Sequence, residues 1–163
     1  MTPLTFPEGM RRLVAGVSLI TVSTEQARFG LIATAVTSLS ADPPSLLVCV
    51  NKDASIHAHL AEVDAFCVNV LSRNQQPIAE RFASPVDRDT RFSQGEWTSL
   101  TTGAPALIGS QVSFDCRSVK GATHGTHTVF FGNVLQAAAW DDVSDPLLWH
   151  AGAFAALPQL ETN

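Results

Sequence analysis

The side chains in this sequence most able to ligate a metal or act as nucleophiles are its five histidines and three cysteines. His57 and His59 stand two apart in NKDASIHAHLAEVDA, where Ile56, Leu60 and Val63 recur at helical spacing. Helical residues two apart point about 200° away from each other, so these rings cannot share an ion. His124 and His127 sit in a loop leading into a strand, with no third ligand close by in sequence. Cys49, Cys67 and Cys116 are odd in number, far apart and set among Val and Phe. They read as reduced core residues of a cytoplasmic protein, not as a disulfide frame or a zinc site. No metal is expected. Glycine-rich dinucleotide fingerprints, a phosphate loop ending in Gly-Lys-Ser, Gly-x-Ser-x-Gly and Cys-x-x-Cys are also absent.

Three stretches gather polar groups where the chain must turn. ATAVTSLSADPP places hydroxyls at Thr34, Thr37, Ser38 and Ser40 near a strand end that turns at Asp42-Pro43-Pro44. They suit a polar ligand, and equally a solvated strand edge in which Thr is an ordinary residue. VNKDAS places Asn51, Lys52 and Ser55 where a buried strand opens into a helix. A helix N-terminus offers free N–H groups and partial positive charge, so with Lys52 and a serine hydroxyl it suits a phosphate. Asp53 or Ser55 is at the same time the expected helix cap. In GTHTVFFG, Gly125 permits an unusual backbone angle just before His127, whose ring is either ligand-facing or a structural hydrogen-bonding group. Arg91, in a polar stretch, reads by itself as a surface salt-bridge residue.

Strands must hold these groups. TFPEGMRRLVAG places Phe6, Met10, Leu13 and Val14 at helical spacing, with Gly16 as a stop. VSLITVST is β-branched, and EQAR followed by Phe29-Gly30 reads as a hairpin connection into a strand LIATAVTSLS. SLLVCVN is apolar from Leu46 to Val50, as in a strand buried on both faces. AFCVNVL is another buried strand, and NQQPIAERFA a second helix with Pro77 in its first turn. Residues 84–104 are polar and irregular, and loops of that length are more often functional or interfacial than idle. VSFDCRSV alternates Val112, Phe114 and Cys116 against Ser113, Asp115 and Arg117, the pattern of a half-buried strand. TVFFGNVLQAAAW should pair with it, and a turn over 141–146 leads to a short strand at LLWH. Many strands with few short helices predict a mainly β chain, a small closed or partly closed antiparallel barrel in one domain over 1–163.

The 163 residues carry 10 Lys+Arg against 15 Asp+Glu, a net charge of −5, which argues against nucleic-acid binding. Charged residues are only 15% of the chain, against about 25% in average proteins. So little charge suggests that part of the surface is covered, most simply by a second copy of the chain. No apolar run approaches the ~20 residues of a membrane helix, and no signal-peptide layout is present.

In order along nearly the whole chain, GLIATAVTSLSADPPSLLVCVN, a serine-containing helix start, FCVNVL, RFA, Asp89-Thr90-Arg91-Phe92, GAPALIGSQVSFDC, GTHTVFFGNV and LLWH resemble the short-chain flavin reductases of two-component flavin-dependent monooxygenases, such as those serving 4-hydroxyphenylacetate and phenol hydroxylases. The resemblance implies an FMN-binding split barrel with Greek-key-like antiparallel strands, usually a homodimer, that uses NADH or NADPH to reduce FMN or FAD. It implies that Thr34, Ala35, Val36, Thr37 and Ser38 border the flavin ring and tail. By the same resemblance Asn51, Lys52 and Ser55 face the phosphate side, Arg91 approaches the phosphates, and His127 lies where the nicotinamide stacks. Relatives often carry arginines where this chain has Ala151 and Ala153, between Trp149 and Phe154. That departure leaves NADH versus NADPH open.

The expected activity is hydride transfer from NAD(P)H to flavin, with reduced flavin leaving for a partner monooxygenase. Such chemistry needs no side-chain nucleophile, because the cofactors carry it. Two other readings stay open: a reductase that keeps its flavin and passes electrons to an acceptor such as a corrinoid, and a non-catalytic flavin-binding module.

Overall fold

A computed structural model describes residues 2–86, 88–141 and 145–157. The chain opens with helix α1 (Phe6–Met10) and continues through β1 (Ala15–Gly16), β2 (Ser18–Ser23), β3 (Arg28–Ala33), β4 (Val36–Ala41) and β5 (Pro44–Asn51). Helix α2 (His57–Glu62), strand β6 (Ala65–Val70) and helix α3 (Gln76–Ala83) follow, then β7 (Trp97–Ser99), β8 (Pro105–Leu107), β9 (Val112–His124), β10 (His127–Ala138), β11 (Leu148–His150) and β12 (Ala153–Ala155). Seven strands form one antiparallel sheet in the order β3-β2-β6-β9-β10-β5-β4.

That order puts β3 and β4 at opposite edges, although only Thr34 and Ala35 separate them in the chain. In a flat seven-stranded sheet the edges would lie about 29 Å apart, whereas three Cα steps reach at most about 11 Å. The sheet therefore curls into a half-barrel, and the Cys49 amide donates to the Ala35 carbonyl at the junction (3.0 Å). The mainly β, partly closed antiparallel architecture agrees with the reading from sequence. The break at Thr34-Ala35 corrects it, because LIATAVTSLS is two strands on opposite edges and not one.

Both faces of the sheet are covered. Ile20, Val22, Val48, Val50, Phe66 and Phe130 pack inside the curl, and Val17, Leu19, Leu71, Ile78, Phe82 and Leu147 pack beneath α3. This accounts for the largely apolar texture of β2, β5 and β6. Gly30 is what lets α3 approach, since a Cβ there would overlap the Phe82 ring. Cys67 and Cys116 are buried and Cys49 half-buried, all as free thiols. Burial, with Asp115 nearby, pushes the Cys116 thiol up to about 12 and raises Cys67 further, so neither is a nucleophile.

Ser113 and Asp115 do not face solvent as alternation along β9 suggests; both are fully buried. The polar stretch expected as an irregular loop forms a 3-10 helix (Arg88–Ser93) that packs on α3 through Phe92 and Phe82, and the β7–β8 ribbon, whose connection meets Asp115 through Thr102. Asn69 on β6 joins the parts: its amide donates to the carbonyl of Leu19 (3.1 Å) and the hydroxyl of Thr21 (3.2 Å). Its oxygen accepts from the Leu107 amide and the Ser113 hydroxyl (both 2.8 Å). Asp115 accepts from the Thr102 amide (2.7 Å) and, in a very short contact, from the Thr102 hydroxyl.

Smaller differences concern the helices and the C-terminus. The first helix stops at Met10, and neither Asp53 nor Ser55 caps α2, whose N-cap is Ile56. Part of the expected turn over 141–146 (residues 142–144) lies outside the described residues. A further strand, β12, pairs with β11 through a two-residue turn in which Ala151 and Gly152 have φ of 53° and 84°. Among the described residues no helix is long and apolar enough to cross a membrane.

Asp115→Ala leaves two donors of the half-buried Thr102 without their acceptor. Hydrogen bonds to charged groups contribute about 1.5–3 kcal/mol each, and water can re-solvate part of Thr102, so urea denaturation is expected to show a loss of about 2–4 kcal/mol, below the simple sum.

Candidate active site

The end of β5 gathers several of the polar residues. Asn51 pairs across the sheet with His127, and the Lys52 amide donates to the Thr126 carbonyl (2.9 Å). His127 is exposed, with Nδ1 2.9 Å from the Thr126 hydroxyl. Two residues further along β10, Val129 pairs with Cys49, the residue bonded to Ala35. Thr34 and Ala35 form the edge-to-edge link, and Val36, Thr37 and Ser38 begin β4 opposite Val48, Leu47 and Leu46. Four of these five are exposed; only Val36 is half-buried.

Two clefts flank this arrangement. An aromatic cleft of about 640 Å³ is lined by Thr34, Ile32, Phe82, Ser84, Trp149 and Phe154. Trp149 stands opposite Phe154 in the β11–β12 register, and their rings meet edge to face at 5.0 Å. They both pack and line a groove. An arginine cleft of about 490 Å³ is lined by Ser55, Arg28, Arg88 and Arg91, with Asp89 as the acidic residue and Phe29, His59 and Phe92 as aromatic walls. The Arg28 guanidinium lies 4.6 Å from the centroid of Phe92, and Phe29 stacks on His59 at 3.6 Å. His57 turns elsewhere, with Nε2 2.8 Å from the Thr128 hydroxyl, so the two helix histidines do diverge.

Arg91 is not the surface salt-bridge residue its type suggests. It is only 7% exposed and donates through Nη2 to the Ser84 carbonyl, while its Nε is buried without a partner. Burial, with the like charge of Arg88 second, lowers its pKa from the ordinary value; an arginine nevertheless stays cationic. Three guanidiniums, Arg28, Arg88 and Arg91, around one cleft fit an anion there. A larger cleft of about 780 Å³ shares Phe29 and His59 but is lined by Glu25, Glu62 and Asp64, whose charge would repel phosphate.

The structure thus brings Ser55 together with Arg91, and Asn51 and Lys52 together with His127. Among the described residues lining the two clefts, none is Ala35, Val36, Thr37, Ser38, Asn51, Lys52 or His127. The helix-dipole argument for VNKDAS loses its basis, because α2 begins only at His57 and has six residues. Arg28, Phe82 and Ser84 are site residues that the sequence did not single out. Arg28 looked like part of a hairpin connection, and Ser84 contributes a backbone carbonyl, which leaves no signature in residue type. Among the described residues no three His, Cys, Asp or Glu side chains group as metal ligands.

Residues 10–158 match the model of the flavin reductase like domain. The chain belongs to that family. This flavin reductase-like chain is 40% identical over 154 residues to an FMN reductase (NADH), RutF 1, of Methylorubrum extorquens, covering 94% of the chain and 76% of the relative. Among solved structures it is similar to BorF, the flavin reductase component of a bacterial two-component tryptophan halogenase. That match has 36% identity, covers 93% of this chain and 95% of the other, and has a TM-score of 0.84. It is also similar to the NADH:FAD oxidoreductase SgcE6 of Streptomyces globisporus C-1027, solved with NAD and FAD fragments. Identity is 28%, coverage 99% and 100%, and the TM-score 0.89.

If the arginine cleft takes a flavin's phosphate, FMN should bind at least tenfold tighter than riboflavin at low salt, the difference of one charge-assisted hydrogen bond or more. The gap should narrow as salt rises, because Arg28 and Arg88 are exposed, and Arg91→Gln should remove most of it. Flavin-fluorescence titrations measure each value.

Proposed function

We propose that this chain is an NADH-dependent flavin reductase that reduces FMN and releases it to a partner oxygenase. The observation that carries this reading is the pair of clefts joined by Arg91, an aromatic one at Thr34 of the edge-to-edge link and a cationic one beside it. A flat aromatic ring fits the first and a phosphate the second. Thr34 borders the ring, with Ala35, Val36, Thr37 and Ser38 continuing the chain from it, and Ser55 and Arg91 serve the phosphate, while Asn51 and Lys52 lie beside His127 outside both clefts. His127 positions the nicotinamide.

With both groups bound, the chemistry would be transfer of a hydride, two electrons and one hydrogen nucleus, from NADH to the flavin ring, with the second proton taken from water. The protein's share is electrostatic and geometric. Hydroxyls of Thr34, Thr37 and Ser38 and the amides of the link donate toward negative charge developing on the ring. Trp149 and Phe154 exclude water from the aromatic cleft. Ala151 and Ala153, at the tip of the β11–β12 hairpin, offer no cation for a 2′-phosphate, which favours NADH. That agrees with the NADH dependence in the names of its RutF relatives.

The assembly is a homodimer of single-domain subunits in the cytoplasm. Leu4, Phe6, Met10, Leu13 and Val14 are all exposed, and no residue of α1 is buried, which leaves an apolar N-terminal surface for a second copy to cover. The partner is a flavin-dependent monooxygenase or a related oxygen-using enzyme, as with the halogenase that BorF serves.

NADH oxidation followed at 340 nm with FMN, FAD and riboflavin in turn tests the activity; a rate that no flavin increases overturns it. His127→Ala should raise the KM for NADH several-fold and leave the KM for FMN within twofold. Unchanged NADH kinetics would remove its role.

A further inference from the structure

One guanidinium belongs to both clefts. Arg91 lines the arginine cleft beside Ser55 and Arg88, yet its Nη2 holds the carbonyl of Ser84, which lines the aromatic cleft with Thr34 and Trp149. Its Cζ lies 5.9 Å from the centroid of Phe82, whose ring also walls the aromatic cleft. A second arginine fastens the same two elements. Arg81, on α3, donates through Nη2 to the carbonyl (2.9 Å) and hydroxyl (2.7 Å) of Thr90, on the 3-10 helix. The C-terminal end of α3 and the 3-10 helix are thus cross-tied by Arg81 to Thr90 and by Arg91 to Ser84. Among the described residues the Nε atoms of both arginines are buried without a partner, and of the two only Arg91 lines the arginine cleft.

A planar guanidinium presents its donors in a rigid fork, so an anion that engages it from the arginine cleft also fixes the direction in which Nη2 points. Fixing Nη2 fixes Ser84 and, with it, one wall of the cleft where the ring sits. We propose that Arg91 is a positioning residue that couples the clefts. A phosphate held in the arginine cleft sets the Ser84–Phe82 wall, so ring binding and ring reduction are favoured by phosphate occupancy itself, not only by the covalent link between phosphate and ring. The inference rests on the proposed function, and it goes beyond it by assigning the phosphate site an effect on the chemistry next door. Coupling of this kind is reciprocal: whatever factor phosphate contributes to ring binding, the ring returns to phosphate binding.

The experiment presents the flavin in two pieces. Isothermal titration of inorganic phosphate into the full chain is run with and without saturating riboflavin, at constant ionic strength with chloride as the balancing anion. Phosphate should bind at least fivefold tighter when riboflavin is present, the lower end of typical coupling. It should also raise kcat for riboflavin reduction by NADH by a comparable factor. Arg91→Lys retains a cation but cannot hold the Ser84 carbonyl and an anion in one fork, so it should still bind phosphate while the coupling factor falls to within twofold of unity. Equal phosphate affinity with and without riboflavin in the unmodified protein, absence of phosphate binding in both states, or full coupling in the lysine variant each overturns the proposal. Failure of the functional reading is separately visible, as absent NADH oxidation with FMN, since the titrations do not depend on turnover.

Discussion

Two residues joining opposite edges of a seven-stranded sheet is the constraint from which the rest of this structure follows. Thr34 and Ala35 are too short to bridge a flat sheet, so the sheet must curl. Curling encloses Phe66, Phe130 and the valines of β5 in one core and leaves the outer face to α3, which builds the second. The same link leaves backbone groups and hydroxyls of the chain exposed at a concave edge, beside the end of β5. A ligand site at such a junction owes its shape to closure of the sheet, not to a dedicated binding domain.

The second requirement is a firm base for Arg91. Its segment lies in a stretch with little apolar content, which cannot be held by burial of hydrocarbon alone. Phe92 and Trp97 pack on Phe82 of α3, and polar groups that the sheet offers outward hold the rest. Asn69 meets Leu107 of β8, Thr21 meets the Pro105 carbonyl at 2.5 Å, and Asp115 meets Thr102. These bonds are nearly dry, so each is worth more than its solvated equivalent, and an error in any one leaves a buried group unsatisfied. A rigid anchor at 102–107 and the cross-ties at Ser84 and Thr90 confine the arginine-bearing 3-10 helix between two fixed ends.

What the sequence made legible divides along physical lines. Strands β2, β5 and β6 announce themselves as β-branched and apolar runs, because both faces are buried and no partner is needed to see it. The break at Thr34-Ala35 is hidden, since Thr, Ala, Val and Thr continue a plausible strand pattern straight through it. Ser113 and Asp115 mislead because the ribbon that buries them is itself polar. Of the candidate site, Thr34, Ser55 and Arg91 were visible through type and resemblance. The aromatic cleft was not, because Thr34 and Trp149 meet only after the sheet has closed and the C-terminal hairpin has docked. The Ser84 carbonyl is invisible in principle, because every residue has one.

The scarcity of recognisable catalytic residues is then what the chemistry demands. Hydride transfer between two bound rings asks the protein for alignment, exclusion of water and a fixed field, and none of these requires a nucleophile or a paired acid and base. The field here is local. The chain carries −5 overall, and acidic side chains line the large cleft on one side of the Phe29–His59 stack, while three guanidiniums gather on the other. An anion approaching this end of the barrel is repelled from the roomier cleft and drawn to the narrower one, although that one is the smaller cavity. Charge placement, not cavity size, therefore decides where a phosphate seats, and Arg91 ties that seat to the wall of the neighbouring cleft.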